Sequence, residues 1–318
     1  MIVLLEPTRP VGFVSGGYHY QAQVAQQLAA AGTGRLLACA PAALAATVAQ
    51  LRRDPDALVV VDGLFAEHAP LPPGVVALLH CVPSRADWCE GRVPVVATAA
   101  TTAGAARVAV QAAAIEVVRP GLERLFAPVA HRANLPLRVL MVGTVTPAKG
   151  QERVARTLRE LADRCGLTLV GDHATEPHHT AAVRAAAGTL AIEWAGVQPP
   201  AAVAAAMQRC DLFVSASRSE SFGMAVAEAA ACGAPVLAFA TGEIATFVQH
   251  GSNGWLVPLG DEAGFAALLR LLLRDPTWLA RARSHARRPD LADWPTTARS
   301  FAAACHRLNA VAAPRNGG

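Results

Sequence analysis

The sequence is poor in aromatic and charged side chains, and it lacks any C-x-x-C pair. Aromatic residues make up 5% of the 318 positions and charged residues 16%. Because Lys and Arg are scattered rather than arranged in a stripe with aromatics, we do not expect nucleic-acid binding. The seven cysteines are scattered too, which argues against a zinc site or a disulfide framework and favours a reducing cytoplasm.

Long apolar segments are missing as well. The first six residues lack the basic start and the apolar core of a secretory signal peptide. No uncharged apolar run approaches the length that spans a bilayer. The net charge of +4 suits acidic ligands or loose contact with anionic lipid. We therefore expect a cytoplasmic protein that makes at most peripheral contact with the inner face of the membrane.

Apolar residues are plentiful, at 53% of the chain, which is enough for two α/β domains of ordinary size. Short apolar runs alternate with helix-forming segments, a pattern typical of a parallel sheet covered on both faces. The pattern begins with a strand at residues 2–5, a loop that includes Gly16 and Gly17, and a helix over 21–31. It restarts after a linker at 132–136.

The most informative feature is a pair of glutamates, Glu220 and Glu228, separated by seven residues. The apolar run before them and the Gly-Ala-Pro stop at 233–235 predict a strand, a short loop and a helix. At helical rise the pair spans about 12 Å, which exceeds the separation of roughly 5–10 Å between the two carboxylates of a glycosidase. The helix start between them favours an anion. The segment therefore fits a ligand with hydroxyls at both ends and phosphates in the middle, such as a sugar nucleotide.

Three motifs, in the right order, resemble those of family 4 retaining glycosyltransferases. Residues 142–150 (VGTVTPAKG) resemble that family's VGRLxPxKG segment. Residues 220–228 match its E-x7-E motif, and residues 251–258 (GSNGWLVP) resemble its GxNGxLVP turn. The resemblance is strong over about 137–305 and weaker over 1–130.

The resemblance implies the α/β fold called GT-B, in which two Rossmann-like domains face each other across a cleft. The first domain would be 1–133, on the acceptor side, and the second would be 134–290, which binds the nucleotide sugar. The last segment, 291–318, would form a helix that crosses back to the first domain, followed by a tail.

The resemblance also implies roles for individual residues. Glu228 would hold the ribose hydroxyls of the nucleotide, and Glu220 would hold the transferred sugar. Lys149 would neutralise the leaving diphosphate, whose charge grows as the glycosidic bond breaks. The amides of Phe222 and Gly223 would contact the sugar or the distal phosphate. The other donor-binding residues implied in the same loops are Gly143, Thr144, Arg218, Ser221 and Met224.

The chain departs from the family at two of these loops. Thr144 stands where the family usually has an Arg, which removes a bidentate phosphate donor. Arg218 either substitutes for that cation or is an ordinary surface residue. Residues 242–246 (GEIAT) replace the family's GGxPE loop, so the resemblance assigns no site role there.

In the first half, Gly16 and Gly17 resemble the family's Gly-Gly loop, where the backbone approaches the donor phosphates or the acceptor. His80 matches the position of a sugar-contacting histidine and is the third catalytic candidate. It either bonds a donor-sugar hydroxyl or satisfies a local carbonyl. Asp62, at another strand end, is a weaker candidate on the acceptor side.

We predict a hexosyltransferase-like, metal-independent enzyme that transfers a sugar from a nucleotide-diphosphate sugar with retained configuration. No cofactor is expected besides that donor, and the residues leave the acceptor, the nucleotide base and the oligomeric state open. One alternative is a catalytically silent binding protein, because of Thr144 and the altered 242–246 loop. Another is a sugar-nucleotide epimerase or a phosphorylase of the same fold. The scarcity of lysines disfavours a phosphorylase that binds pyridoxal phosphate.

Overall fold

A computed structural model describes residues 1–8, 15–85, 87–89, 93–109 and 114–312. The predicted tail beyond residue 312 lies outside the described residues. Contacts divide the chain into two compact units. Unit 1 consists of the described parts of Met1–Val11, Gly16–Leu122 and Leu291–Gly318. Unit 2 consists of Glu123–Asp290 with the described part of Gly12–Ser15. The predicted domain bounds stay predictions.

Strands and helices alternate along the described chain. The first part contains β1 (Ile2–Pro7), α1 (Gly16–Ala30), β2 (Gly34–Cys39), α2 (Leu44–Leu51), β3 (Leu58–Asp62), β4 (Val76–Leu79), β5 (Val95–Ala97), α3 (Ala100–Ala109) and β6 (Ile115–Val117). The second contains β7 (Leu137–Val142), α4 (Gln151–Leu158), β8 (Cys165–Val170), α5 (Pro177–Ala187), β9 (Ile192–Gly196), α6 (Pro200–Arg209), β10 (Leu212–Ser215), α7 (Met224–Ala231), β11 (Val236–Phe239), β12 (Gly254–Val257), α8 (Glu262–Arg274) and α9 (Thr277–Ser284). Helix α10 (Trp294–Ala312) ends the described chain.

Each unit contains one parallel sheet of six strands. The order in unit 1 is β2-β1-β3-β4-β5-β6, and the order in unit 2 is β12-β11-β10-β7-β8-β9. Strands β1, β3, β4 and β11 are buried along their whole length, as expected where helices cover both faces of a parallel sheet. The predicted α/β class is confirmed, and the sheet order of unit 2 is that of the Rossmann fold.

Helix α10 belongs to unit 1, where it packs against α1. The ring of Tyr20 lies 5.8 Å from the ring of Trp294 and 6.2 Å from that of Phe301. A Cβ atom at Gly121 would stand 2.8 Å from the backbone of Trp294, so the chain approaches the helix start closely there. The burial of these large aromatic rings stabilises the contact between the two helices.

The predicted loop at Gly16 and Gly17 was wrong, because both residues lie in the first turn of α1. Glycine disfavours helix locally, but the buried face of the helix already includes Tyr18 and Tyr20, ahead of the predicted start at residue 21. Tertiary packing therefore extends the helix beyond what propensity indicates. The expected cap of α8 is confirmed: Asp261 Oδ1 accepts a hydrogen bond of 2.8 Å from the amide of Gly264.

None of the helices in the described part of the chain combines the length and the apolar character that crossing a membrane requires.

Candidate active site

The candidate donor site of unit 2 lies where the strand order reverses. Strands β7 and β10 are neighbours, with Val139 opposite Leu212 and Leu140 opposite Phe213. From β7 the chain continues to β8 on one side, and from β10 it continues to β11 on the other. In open α/β sheets, ligands bind beyond the carboxyl ends of the strands at such a point. The loops 143–150 and 216–223 both begin there.

These two loops are joined by their backbones. The amide of Arg218 donates to the carbonyl of Ala148 over 2.9 Å. A Cβ atom at Gly150 would stand 2.6 Å from the carbonyl oxygen of Ala216, so only glycine permits this approach. Arg153 of α4 donates from Nη1 to the same carbonyl over 3.1 Å. The side chains that the loops carry are thus held in a defined relation.

Lys149 and Glu220 form an ion pair between the two loops. Nζ of Lys149 lies 2.5 Å from Oε1 of Glu220, and the side chains are 34% and 18% exposed. Two residues that are 71 positions apart in the sequence therefore meet in one site. Both groups remain accessible enough to exchange this contact for one with a ligand.

The start of α7 follows Glu220 directly. Gly223 precedes the helix in a left-handed conformation with φ of 86°, and a Cβ there would stand 2.8 Å from Ile244 Cγ1. Phe222 is buried, with its ring 5.6 Å from that of Phe247. Packing thus fixes the helix start, whose first amides have no acceptor within the helix. Ser221 and Met224 flank it and are half-buried.

Glu228 lies in α7 a little more than one turn from the helix start, as predicted. Its side chain is half-buried. Burial, and to a smaller extent the nearby Glu123, raises the pKa of this carboxyl to about 8. The group therefore keeps its proton through neutral pH and can both donate and accept hydrogen bonds.

This pKa predicts a pH-dependent effect of the Glu228→Gln substitution on stability. The folded protein retains the proton between the ordinary pKa of 4.5 and about 8, whereas the unfolded chain releases it. Wild-type stability should therefore fall relative to the variant as pH rises through this window. We expect similar urea midpoints at pH 4.5, and at pH 8.5 a free energy of unfolding about 1–3 kcal/mol higher for the variant.

A matched control is Glu160→Gln, because Glu160 is an exposed carboxyl whose pKa is lowered by its hydrogen bond to Arg270. That variant should show no gain at pH 8.5. An equal shift in both variants, or none for Glu228→Gln, would contradict the assigned environment of Glu228.

The remaining donor-site candidates of unit 2 lie around the same loops. Gly143 follows β7, and its amide donates to Val170 over 2.8 Å. Thr144 is half-buried, and its carbonyl accepts from Gln151 Nε2 over 3.0 Å. Arg218 is 61% exposed, and its Nη2 lies 2.6 Å from Glu262 Oε1. The roles predicted for these three residues stay predictions.

Sequence reasoning missed the part that Gly242 plays at this site. With φ of 55°, its backbone lies against the Glu220 loop, and a Cβ there would overlap the Glu220 carbonyl and stand 2.5 Å from that of Ser221. The only signal was a glycine retained within the altered 242–246 loop. Arg153 was missed too, because a charged residue in a helix usually faces solvent.

Unit 1 contains the other residues that were predicted to take part in the site. His80 follows β4, and a Cβ at Gly17 would stand 2.9 Å from His80 Cδ2. Gly17, in the first turn of α1, therefore leaves space for the imidazole because it has no side chain. Gly16 is exposed at the helix start. Burial lowers the pKa of His80 to about 4, so the ring is neutral at physiological pH.

Asp62 ends β3 next to His80. Its Oδ1 accepts from the amide of Leu64 over 2.8 Å, which caps the following 3₁₀ turn. Its Oδ2 accepts from Nε2 of Gln21, a residue that sequence reasoning missed. Asp62, His80 and five neighbours line a small pocket. Gln21, Asp62 and His80 thus meet at the carboxyl ends of β3 and β4.

Comparison with known proteins finds a family model that matches the loops of unit 2. Residues 136–275 match the family model described as glycosyl transferases group 1. The D-inositol 3-phosphate glycosyltransferase of Acidothermus cellulolyticus is 33% identical over 183 residues, which cover 51% of this chain and 41% of that protein. The enzyme of the same name from Frankia alni is 34% identical over 190 residues, covering 52% and 46%. The chain thus matches less than half the length of these curated relatives.

Solved structures extend the similarity to nearly the whole chain. Sucrose-phosphate synthase from Thermosynechococcus elongatus gives a TM-score of 0.77 at 19% identity and covers 97% of this chain and 99% of its own. Anabaena HepE, in complex with UDP and glucose, gives 0.72 at 17% identity, with 95% and 98% covered. The similarity to the glycosyl transferases group 1 family thus rests on residues 136–275, and the chain has the α/β fold of the GT-B glycosyltransferases.

Proposed function

We propose that the protein is a glycosyltransferase that moves a sugar from a nucleotide-diphosphate sugar to a hydroxylated acceptor with retained anomeric configuration. The observation that carries the proposal is the Lys149–Glu220 ion pair at the strand-order reversal of unit 2. It lies beside the start of α7, within the segment that matches the family. A cation, a carboxylate and a helix start together suit a ligand that carries both phosphate and hydroxyl groups.

The ion pair suggests how the site binds the donor and stabilises the leaving phosphate. The diphosphate competes with Glu220 for the ammonium group of Lys149, and the released carboxylate accepts hydrogen bonds from sugar hydroxyls. As the bond between the sugar and the diphosphate breaks, negative charge grows on the leaving phosphate. Lys149 then stabilises the transition state more than the ground state, which is the condition for catalysis. Glu228 would bind the ribose hydroxyls of the nucleotide.

Relatives indicate which ligands to test first. HepE has been solved with UDP-glucose, and the curated relatives are named for D-inositol 3-phosphate. UDP-hexoses are therefore the first donors to test, with GDP- and ADP-hexoses beside them, and inositol 3-phosphate is the first acceptor. We expect transfer to persist in EDTA, because Lys149 and the helix start would take the place of a metal at the diphosphate.

Lys149 is the only lysine in the sequence, which permits a direct test of donor binding. An amine-acylating reagent should modify Lys149 and the chain's α-amino group, and mass spectrometry can follow each one separately. We expect a nucleoside diphosphate that binds to slow acylation of Lys149 at least tenfold while the α-amino group reacts unchanged. Equal rates with every nucleotide tested, at concentrations that calorimetry shows to be saturating, would contradict the proposed donor site.

The anomeric configuration of the product tests the reaction class. With an α-linked UDP-hexose as donor, proton NMR of the transfer product should show an α-glycosidic bond. If the donor is slowly hydrolysed instead, the free sugar should appear first as the α-anomer, before mutarotation. Initial release of the β-anomer would contradict retention, although the donor site would stand.

A further inference from the structure

A buried amide in unit 1 connects Asp62 to His80. Gln21 lies one helical turn after Gly17 on α1, and its residue exposure is 1%. Its Nε2 donates to Asp62 Oδ2 and lies 3.3 Å from His80 Nε2. Since Asp62 Oδ1 is occupied by the amide of Leu64, the carboxylate has a defined orientation. Gln21 Nε2 therefore faces two atoms, Asp62 Oδ2 and His80 Nε2, that could each accept a hydrogen bond from it.

The chemistry of these groups determines where the imidazole proton lies. An amide nitrogen only donates hydrogen bonds, and an ionised carboxylate only accepts them. Ionised Asp62 thus holds the amide of Gln21 with its nitrogen towards the carboxylate. The same nitrogen then faces His80 Nε2, so that atom must be the unprotonated one. Since burial keeps the ring neutral, its single proton lies on Nδ1.

Protonation of Asp62 would reverse this arrangement. A protonated Asp62 donates through its O–H, which requires Gln21 to rotate and present Oε1 instead of Nε2. That oxygen then also faces His80 Nε2, which takes up a proton from solvent, while Nδ1 releases its proton to solvent. The net change is one proton gained, on Asp62. Within the described chain, Gln21 Oε1 has no hydrogen-bond partner that would oppose the rotation.

We infer that Gln21 is a positioning residue that couples the ionisation of Asp62 to the tautomer of His80. With Asp62 ionised, His80 presents a donor at Nδ1, and with Asp62 protonated it presents an acceptor there. That this donor serves a sugar oxygen rests on the proposed function. The coupling itself does not depend on that function.

Burial, and in smaller part nearby Glu6 of β1, raises the pKa of Asp62 to about 6, within the accessible range. In the part of the chain that the structure describes, the other titratable groups near Asp62 and His80 are Cys81, Glu67 and Tyr20. Burial raises the pKa of Cys81, and Asp62 and Glu67 add to that rise, so the thiol stays neutral. The Glu67 carboxylate accepts from Ser84. The ring of Tyr20 lies 5.4 Å from that of His80, while its hydroxyl donates to Val118.

Nitrogen NMR of the full-length protein, labelled with ¹⁵N-histidine, tests the inference, because protonated and unprotonated imidazole nitrogens resonate far apart. The His80 signals are identified by their loss in His80→Gln. At pH 7.5 we expect a protonated Nδ1 and an unprotonated Nε2. Between pH 7.5 and 5 the two should exchange, with a midpoint near 6. A protonated Nε2 at pH 7.5 would overturn the inference without bearing on donor binding at Lys149.

The variant Gln21→Met removes the amide and keeps the length of the side chain. In this variant the exchange near pH 6 should vanish and both tautomers should be populated. Gln26→Met is the matched control, because Gln26 lies on the same helix and is exposed, and its spectrum should follow the wild type. An unchanged His80 profile in Gln21→Met would overturn the inference. If that variant does not fold, the wild-type titration still decides.

Discussion

Replacing Lys149 with alanine is expected to lower the rate of sugar transfer at saturating donor by about 100- to 1,000-fold, the usual cost of removing one group that stabilises developing charge. Glu220→Gln should lower it as well, because a carboxamide keeps the shape of the side chain but neither holds Lys149 by charge nor accepts as strongly. Both side chains are partly exposed, so the thermal midpoints should change little.

The matched control is Arg156→Ala. Arg156 is an exposed cation on α4 that pairs with Glu152 one turn away, and its loss should leave transfer unchanged. Acylation of the wild type offers an independent check, since loss of activity should follow modification of Lys149 rather than of the α-amino group. Full activity in both Lys149→Ala and Glu220→Gln would exclude the assigned site.

The substitution Gly242→Ala is expected to have the largest effect on the architecture of unit 2. A methyl group there meets the carbonyls of Glu220 and Ser221, so the loop that carries Glu220 must move. Left-handed backbone costs a non-glycine residue about 1–2 kcal/mol, and overpacking against backbone adds roughly 1–3 kcal/mol. We expect the free energy of unfolding to fall by about 2–5 kcal/mol, and nucleotide affinity in calorimetry to fall at least tenfold.

Gly251→Ala separates the two contributions. Gly251 also has a left-handed φ, of 76°, but a Cβ there would meet nothing within 4 Å. This variant should lose only the backbone contribution and keep its nucleotide affinity. If Gly242→Ala bound nucleotide as well as Gly251→Ala does, the Glu220 loop would not depend on Gly242 for its position.

The elements that carry the candidate donor site could largely be predicted from local sequence. Local signals are clear around Glu220: an apolar run precedes it, helix formers follow it, and Gly233 marks the stop. The structure has a strand, β10, and a helix, α7, at the predicted places. The strand before Lys149 was predicted equally clearly, and it corresponds to β7. Alternation of buried strands with helices indicated parallel sheets, because strands covered on both faces must be apolar throughout.

The failures share one physical origin. Gly16 and Gly17 were predicted as loop because glycine disfavours helix. The close approach of Gly17 to His80, however, depends on β4, a strand that is distant in the sequence. Gln21 and Gly242 were missed because neither residue type suggests a role. Their importance comes from what faces them, namely a carboxylate and an imidazole for Gln21, and two carbonyls for Gly242.

By itself, the sequence determined the class of the fold, the order of its elements and the residues that carry the family motifs, since these follow from patterns within a few turns of chain. Only the tertiary structure decided that Lys149 meets Glu220, that Gly242 supports their loop and that Gln21 joins Asp62 to His80. Such contacts depend on which strands are neighbours, because parallel sheets bring the ends of distant strands to one edge. Local propensity carries no information about that arrangement.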